Sequence, residues 1–188
     1  MLKGILKYAH YLLEETVEKG ETVIDATCGN GHDTVFLSRL VGEDGHVLAI
    51  DIQEQAIQST KDKLVEYRLK NVSLIHDSHA YIGDYLQPDE ESRLGGAIFN
   101  LGYLPRSDKK IITESDSTIT AVSSILYHLK QHKLVVIVVY HGHEGGEAEK
   151  KALLKYVTTL DQKKFNVLKY GFINQRNEPP FILAVQKK

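Results

Sequence analysis

The sequence is poor in the residues that staple or punctuate small proteins. Of 188 residues, one is cysteine (Cys28), one is methionine, four are proline and none is tryptophan. A lone cysteine excludes an internal disulfide framework and any cysteine-rich zinc site, and a reducing cytoplasm is the simplest home for it. No apolar run approaches the roughly 20 residues needed to span a bilayer; the longest, Leu134–Tyr140, is strand-sized. The opening segment meets Glu14 and Glu15 before it builds a long apolar core, so no signal peptide is expected. Internal repeats, low-complexity tracts and Ser/Gly/Pro linkers are also missing. What is present is an ordinary globular mix, 42% hydrophobic and 26% charged, which argues against disorder. At about 150 residues per domain, the length predicts one domain, 1–188, with a core that needs no staple.

Charge is unevenly spread. The formal net charge is −2, yet residues 1–96 carry nine basic and 17 acidic groups while residues 97–188 carry 14 basic and eight acidic. An anionic partner on the C-terminal half and plain solvated helix faces both fit that asymmetry.

Helical spacing of apolar residues and compact apolar runs alternate along the chain. The pattern predicts helices over 3–19, 31–41, 53–69, 79–86, 117–130 and 145–160. Strands are expected at Thr22–Cys28, His46–Asp51, Val72–His76, Gly96–Phe99, Leu134–Tyr140, Phe165–Phe172 and Pro180–Val185. Alternation of this kind predicts an α/β fold with a mostly parallel seven-stranded sheet and helices on both faces. The last two strands are joined by too short a link for a crossover and should form an antiparallel C-terminal hairpin. That arrangement resembles a class I (Rossmann-like) methyltransferase.

The strongest motif is Asp25-Ala-Thr-Cys-Gly29-Asn-Gly31-His-Asp33-Thr34, set between strand one and its helix. Glycines there permit a tight turn and close approach of a ligand. Asp51, 20 residues after Gly31, ends strand two, where a carboxylate can accept both hydroxyls of a ribose. A dinucleotide is disfavoured: Thr34 stands where its fingerprint has Gly or Ala, and Asp25 and Asp33 would repel a pyrophosphate. Those carboxylates suit S-adenosylmethionine, which is cationic at its amino group and sulfonium. No P-loop motif is present. Asp77, after strand three, can accept from an adenine amine, or Asp77-Ser78 caps the next helix.

These residues, with Asn100-Leu-Gly-Tyr-Leu-Pro105 and Tyr140-His-Gly-His-Glu-Gly145, resemble the small bacterial rRNA-methylase-like class I methyltransferases, and within them the MnmM (YtqB-like) tRNA methyltransferases, over essentially the whole chain. The resemblance implies methyl transfer from S-adenosylmethionine to 5-aminomethyl-2-thiouridine at the tRNA wobble position. It implies cofactor contacts from Asp25, Thr27, Gly29, Asn30, Gly31, His32, Asp33, Thr34, Asp51, Gln53, Asp77, Ser78, His79 and Asn100, and it makes a homodimer plausible.

Ligands of open α/β sheets bind at the carboxyl ends of the strands. The Asn100 segment is similar to the Asn/Asp-Pro-Pro-Tyr loop of amino-nitrogen methyltransferases, in which the Asn side chain and a backbone carbonyl orient the amine; here Leu101-Gly102 replaces the prolines. A plain turn is the alternative. A primary amine is mostly protonated at neutral pH, so Tyr140 or His141 is expected to position or deprotonate it. Tyr103 and Tyr140 could stack on the base. His141, His143 and Glu144 admit a metal reading that no further ligand cluster supports. His128 and His132, four apart on one helix, read as a surface pair. Arg106, Lys109 and Lys110 are expected to meet the tRNA anticodon stem-loop, with Lys130, Lys133, Lys150, Lys151, Lys155 and Arg176 adding charge. Tyr8, His10 and Tyr11 are further RNA candidates or simple packing. Cys28 reads as a packing residue. Alternatives to the tRNA reading are an rRNA or small-amine methyltransferase with the same cofactor site, a non-catalytic RNA-binding relic, and a nicotinamide oxidoreductase.

Overall fold

Strands that are apolar on both faces set the architecture. The computed structural model describes residues 1–86, 93–102, 115–142 and 145–188. Leu134–Val139 forms β5 with all six residues buried, and Leu94–Leu101 forms β4 with seven of eight buried. They sit inside a seven-stranded sheet with β1 (Thr22–Asp25), β2 (His46–Asp51), β3 (Val72–His76), β6 (Phe165–Tyr170) and β7 (Phe181–Lys187). The order is β3-β2-β1-β4-β5-β7-β6. The first five strands run parallel, β7 lies antiparallel to β5, and β6 antiparallel to β7. The predicted fold class is therefore the observed one.

The period-two alternation of strand side chains divides the core into two layers. Ile24, Leu48, Ile50, Phe99, Val135 and Ile137 point to one face. There they meet Ala121, Val122 and Ile125 of α4 (Ser115–His128), Leu153 and Val157 of α5 (Gly146–Thr158), and Ile82 of a 3₁₀ helix over His79–Tyr85. Val23, Val47, Ala49, Ile98, Val136 and Val138 point to the other face, against Ala9 and Leu13 of α1 (Ile5–Glu14) and Leu37 and Val41 of α2 (His32–Val41). Helix α3 (Glu54–Glu66) buries Ala56, Thr60 and Leu64. Helix α1 is also tied to the C-terminal hairpin: the Tyr8 and Tyr170 rings stack with centroids 4.0 Å apart, and the Tyr170 hydroxyl donates to the Lys3 carbonyl at 2.6 Å.

Several boundaries differ from the sequence expectation, and three differences matter. Strand β1 stops at Asp25 rather than Cys28, because the chain turns to lay the Ala26 N–H on the Ile98 carbonyl and the Cys28 N–H on the Ile50 carbonyl. Strand β4 runs on to Leu101, so Asn100 sits in the sheet, paired with Val138, and not in a loop. Helix α4 ends at His128; His132 lies beyond it at φ +67°, so the two histidines do not share a helix.

Candidate functional site

The carboxyl ends of β1, β2 and β4 converge on the glycine loop. Gly31 opens α2 at φ +75°, a left-handed conformation, and a Cβ there would stand 3.0 Å from Thr60 Cα. Thr60 is fully buried and its hydroxyl donates to the Gly29 carbonyl at 3.2 Å. The loop thus lies flat on α3, and glycine is the residue that fits both the torsion and the space. Asp51 holds the loop from β2: Oδ2 accepts the Gly29 N–H and Oδ1 the Gln53 N–H, both at 3.0 Å. Burial raises the Asp51 carboxyl above its ordinary range, against the pull of those N–H groups. Gln53 is half-buried, and Asn30 and His32 are exposed on the loop. The first turn of α2 has no side-chain cap, which leaves its N–H groups and the positive end of its dipole facing outward.

Asp25 and Thr34 do not line the outer surface of the loop. Both are fully buried, and the Thr34 hydroxyl donates to Asp25 Oδ2 at 2.6 Å. That bond explains a Thr where a dinucleotide site has a smaller residue. Burial, and then the charge of Asp33, raise the Asp25 carboxyl well above the usual range. Burial also pushes the Cys28 thiol up, with Asp25 and Asp51 adding to it; this thiol packs rather than reacts. The Thr27 hydroxyl accepts the Asn100 backbone N–H at 2.7 Å and clamps the loop to β4.

At the end of β3, Asp77 is held by the Tyr85 hydroxyl and the Ser78 N–H, both at 2.7 Å, which lower its carboxyl below the ordinary value. Ser78 caps the 3₁₀ helix, accepting the Ala80 N–H at 3.3 Å. His79 points inward instead of onto the loop: its ring meets the Phe99 ring edge-on, and Nε2 lies 3.3 Å from Ser117 Oγ and 3.4 Å from Thr118 Oγ1. Burial lowers its pKa to about 4, so the ring is neutral.

Asn100 carries the most informative geometry. Its Nδ2 donates to Asp33 Oδ2, while its Oδ1 is buried and has no hydrogen-bond partner among the described residues. The amide orientation follows from charge: with a carboxylate on one side, the NH₂ must face it and the oxygen must turn away. A buried acceptor left open costs about 1–3 kcal/mol, and such orphans concentrate where a ligand completes them. The next carbonyl, Leu101, already accepts the Tyr140 N–H at 3.0 Å. Extension of β4 has therefore taken up the group that the Pro-Pro version of this loop would present.

Tyr140 and His141 part company. Burial and then the Asp33 charge raise the Tyr140 hydroxyl, and a Cβ at Gly102 would lie 3.4 Å from the Tyr140 Cβ; this side chain feels Asp33 and flanks Gly102. His141 is buried against Phe181, with Nδ1 3.5 Å from the Lys150 ammonium. His141, Glu147 and Glu178 draw together, a set different from His141, His143 and Glu144. The Lys150 ammonium pairs with Glu147 there and supplies the cluster's positive charge. Tyr103, Arg106, Lys109, Lys110, His143 and Glu144 lie outside the described residues. Lys130 and Lys133 sit at the opposite end of the sheet, bonded to Glu21, whereas Lys151 and Lys155 are exposed on α5.

His10, an RNA candidate or packing residue by sequence, has a partner that the sequence did not announce. His10 Nε2 lies 2.6 Å from Asp33 Oδ1, and its ring stacks on Phe36 at 3.9 Å and 5°. No local motif joins residues 23 apart; the signal is only that Asp33 and Phe36 are one helical turn apart on α2.

A mostly parallel sheet with an antiparallel seventh strand, a glycine loop fastened to the acidic end of β2, and an Asn at the end of β4 define an S-adenosylmethionine-dependent methyltransferase of class I. The crystal structure of a "putative rRNA-methylase" from Clostridium thermocellum is 40% identical and superimposes with a TM-score of 0.95, all of each chain being covered. A "putative methyltransferase" from Streptococcus mutans, solved in complex with SAH, is 41% identical with a TM-score of 0.91 over all of both chains. The tRNA (mnm(5)s(2)U34)-methyltransferase, chloroplastic, of Arabidopsis thaliana is 35% identical across 99% of this chain and 70% of its own length. The family model described as "Putative rRNA methylase" matches residues 47–186, and the chain belongs to that family.

Proposed function

We propose that the protein methylates the exocyclic primary amine of 5-aminomethyl-2-thiouridine at position 34 of tRNA, using S-adenosylmethionine. The observation that carries this reading is the open Oδ1 of Asn100. It is a buried acceptor without a partner among the described residues, suited to one N–H of a neutral amine and able to aim the amine's lone pair.

The residues present fit the cofactor. Each Asp51 oxygen takes one backbone N–H, which leaves lone pairs for a ribose diol. The N-terminus of α2 suits a carboxylate, and Asp33 and Asp51 give the loop the negative charge that a cationic ligand needs. When bound, S-adenosylmethionine supplies a methyl group on a positively charged sulfur. The neutral amine, held by Asn100, would take that methyl group from sulfur and then give up one proton. Asn100 orients the amine, and Tyr140 borders it from β5. Asp77, at the end of β3, would accept from the adenine amine.

Lys151 and Lys155 on α5, with Arg106, Lys109 and Lys110, supply phosphate contacts to the anticodon stem-loop, while Tyr103 and Tyr140 stack on the splayed base. The compartment we propose is the cytoplasm, in keeping with a lone, buried free cysteine. Among the described residues no helix is long and apolar enough to cross a membrane.

Mass spectrometry of nucleosides tests the reading. Transfer RNA lacking the final methyl, incubated with protein and S-adenosylmethionine, should gain one methyl on 5-aminomethyl-2-thiouridine. No gain there, with methyl appearing on ribosomal RNA instead, would replace the substrate.

A further inference from the structure

We infer that His10, on the first helix, is a positioning residue for the acceptor amine, acting through Asp33 on the Asn100 carboxamide; the inference rests on the reading of Asn100 given above. The geometry is a chain of three side chains from three elements. Asn100 Nδ2 donates to Asp33 Oδ2, and His10 Nε2 lies 2.6 Å from Asp33 Oδ1. Both carboxylate oxygens are thereby engaged, so the plane of the Asp33 carboxylate is fixed at two points. A carboxylate held at one oxygen can swing about its Cβ–Cγ bond; held at two, it cannot.

The far end of the chain is itself immobilised. The His10 ring lies flat on Phe36, one turn after Asp33 on the same helix. Its neighbour Ala9 and, one turn on, Leu13 are fully buried under the sheet, and Tyr170 grips the start of α1 through Tyr8 and Lys3. A rigid helix therefore sets the ring, the ring sets Asp33, and Asp33 sets the direction of the open Asn100 oxygen. The arrangement accounts for a histidine at a place where packing alone asks for any flat ring. Phe36 would stack as well on a phenyl group, but a phenyl group offers no donor to Asp33. Misplacing a reacting group by about 1 Å costs on the order of 10²-fold in rate, so a support of this kind matters to turnover more than to binding.

The test uses His10→Ala and His10→Gln in the full chain. The alanine variant should lose kcat by about tenfold or more, with KM for tRNA and Kd for S-adenosylhomocysteine within about twofold of wild type. Gln carries an N–H donor to nearly the position of imidazole Nε2 and should recover most of that loss. In an Asn100→Ala background, His10→Ala should add no further loss, since the two act as one unit. Wild-type kcat in His10→Ala, no recovery by Gln in a folded variant, or additive losses would each overturn the inference. A second readout is independent of substrate: the Asn100 side-chain NH₂ resonances should shift in His10→Ala and return towards their wild-type positions in His10→Gln. If wild-type protein fails to methylate the tRNA, the proposed function falls by itself, and the resonances alone decide the role of His10; unchanged resonances would overturn it.

Discussion

The two ends of the sheet use the same kinds of side chain to opposite effect. At the amino end, Glu21 is nearly fully buried, and Lys130 and Lys133 both donate to its Oε1. Its Oε2 accepts the Glu18 N–H at 2.8 Å. Lys133, also buried, donates in addition to the Thr16 carbonyl at 2.6 Å and to Glu18 at 3.1 Å. Gly95 lets the Glu21 carboxylate lie against β4, where a Cβ would collide with it. Lys130, Lys133, Glu18 and Glu21 each thereby meet a charge of opposite sign. At the carboxyl end, Asp25 is buried beside Asp33, Asp51 is half-desolvated, and Asn100 keeps an acceptor open. Burial acts on Glu21 too, but the Glu18 N–H and the two ammonium groups outweigh it and its carboxyl falls below the ordinary value, while the carboxyls of Asp25 and Asp51 rise. Closed polar networks belong to stability, and open ones mark the place where a ligand supplies what is missing.

Cutting into the closed end should cost most. Glu21→Ala leaves Lys133 buried without its main counter-charge, and loss of one member of a buried ion pair costs about 3–5 kcal/mol. Urea unfolding should show that loss, with kcat of the folded fraction unchanged. A fall in kcat comparable to that of a site variant would erase the distinction between the ends. The converse variant, Asn100→Ala, should lower kcat by about 10²–10³-fold, the range for removal of one preorganised polar group. Its melting temperature should stay near that of wild type. Near-normal turnover would remove Asn100 from the acceptor site.

The sequence was most legible where one residue type does one job over a short span. Apolar runs at β1, β2, β4 and β5 declared the parallel sheet, and the short link before Phe181 declared the hairpin. The loop from Asp25 to Thr34 with Asp51 declared a nucleoside cofactor. What escaped was set by contacts between distant segments. Lys130 and Lys133 read as part of a basic half until the fold brought Glu21 to them. His79 reads as a cofactor contact until α4 covers it with Ser117 and Thr118. His10 gains a partner only when α1 crosses α2. Linear spacing encodes helix faces and strand ends, and it carries no record of which charge a third element will deliver.

An acid titration should separate the two ends again, with a smaller effect. His79 is buried and its pKa is lowered to about 4 from an ordinary 6.5. Its neutral form is favoured in the folded state, so its contribution is fully present above about pH 6.5 and is lost as pH falls towards 4. Complete loss amounts to roughly 3 kcal/mol at most. The Glu21 contribution fades only below its ordinary value of 4.5, as pH falls through a still lower folded value. Stability should therefore fall in two steps, and His79→Gln should remove the upper one. A single step below pH 4.5 in wild-type protein would mean that His79 is not held neutral by burial.

The opposite sign appears on the alkaline side. The Asp25 carboxyl is raised by burial and by Asp33, so the folded state holds a proton that the unfolded chain releases near the ordinary value of 3.8. Stability from this group is present below about pH 4 and is lost as pH rises through its folded value, the opposite sign to His79 and Glu21. Asp25→Asn cannot ionise, and its carbonyl oxygen can still accept from Thr34. The melting temperature of wild-type protein should drop between pH 5 and pH 8, and the variant should be flatter across the same interval. S-adenosylmethionine, being cationic, should narrow the difference by stabilising the ionised loop. If wild type and Asp25→Asn ran parallel from pH 5 to pH 8, the negative charges at the carboxyl end would already be balanced within the protein, and the contrast between the two ends would rest on Asn100 alone.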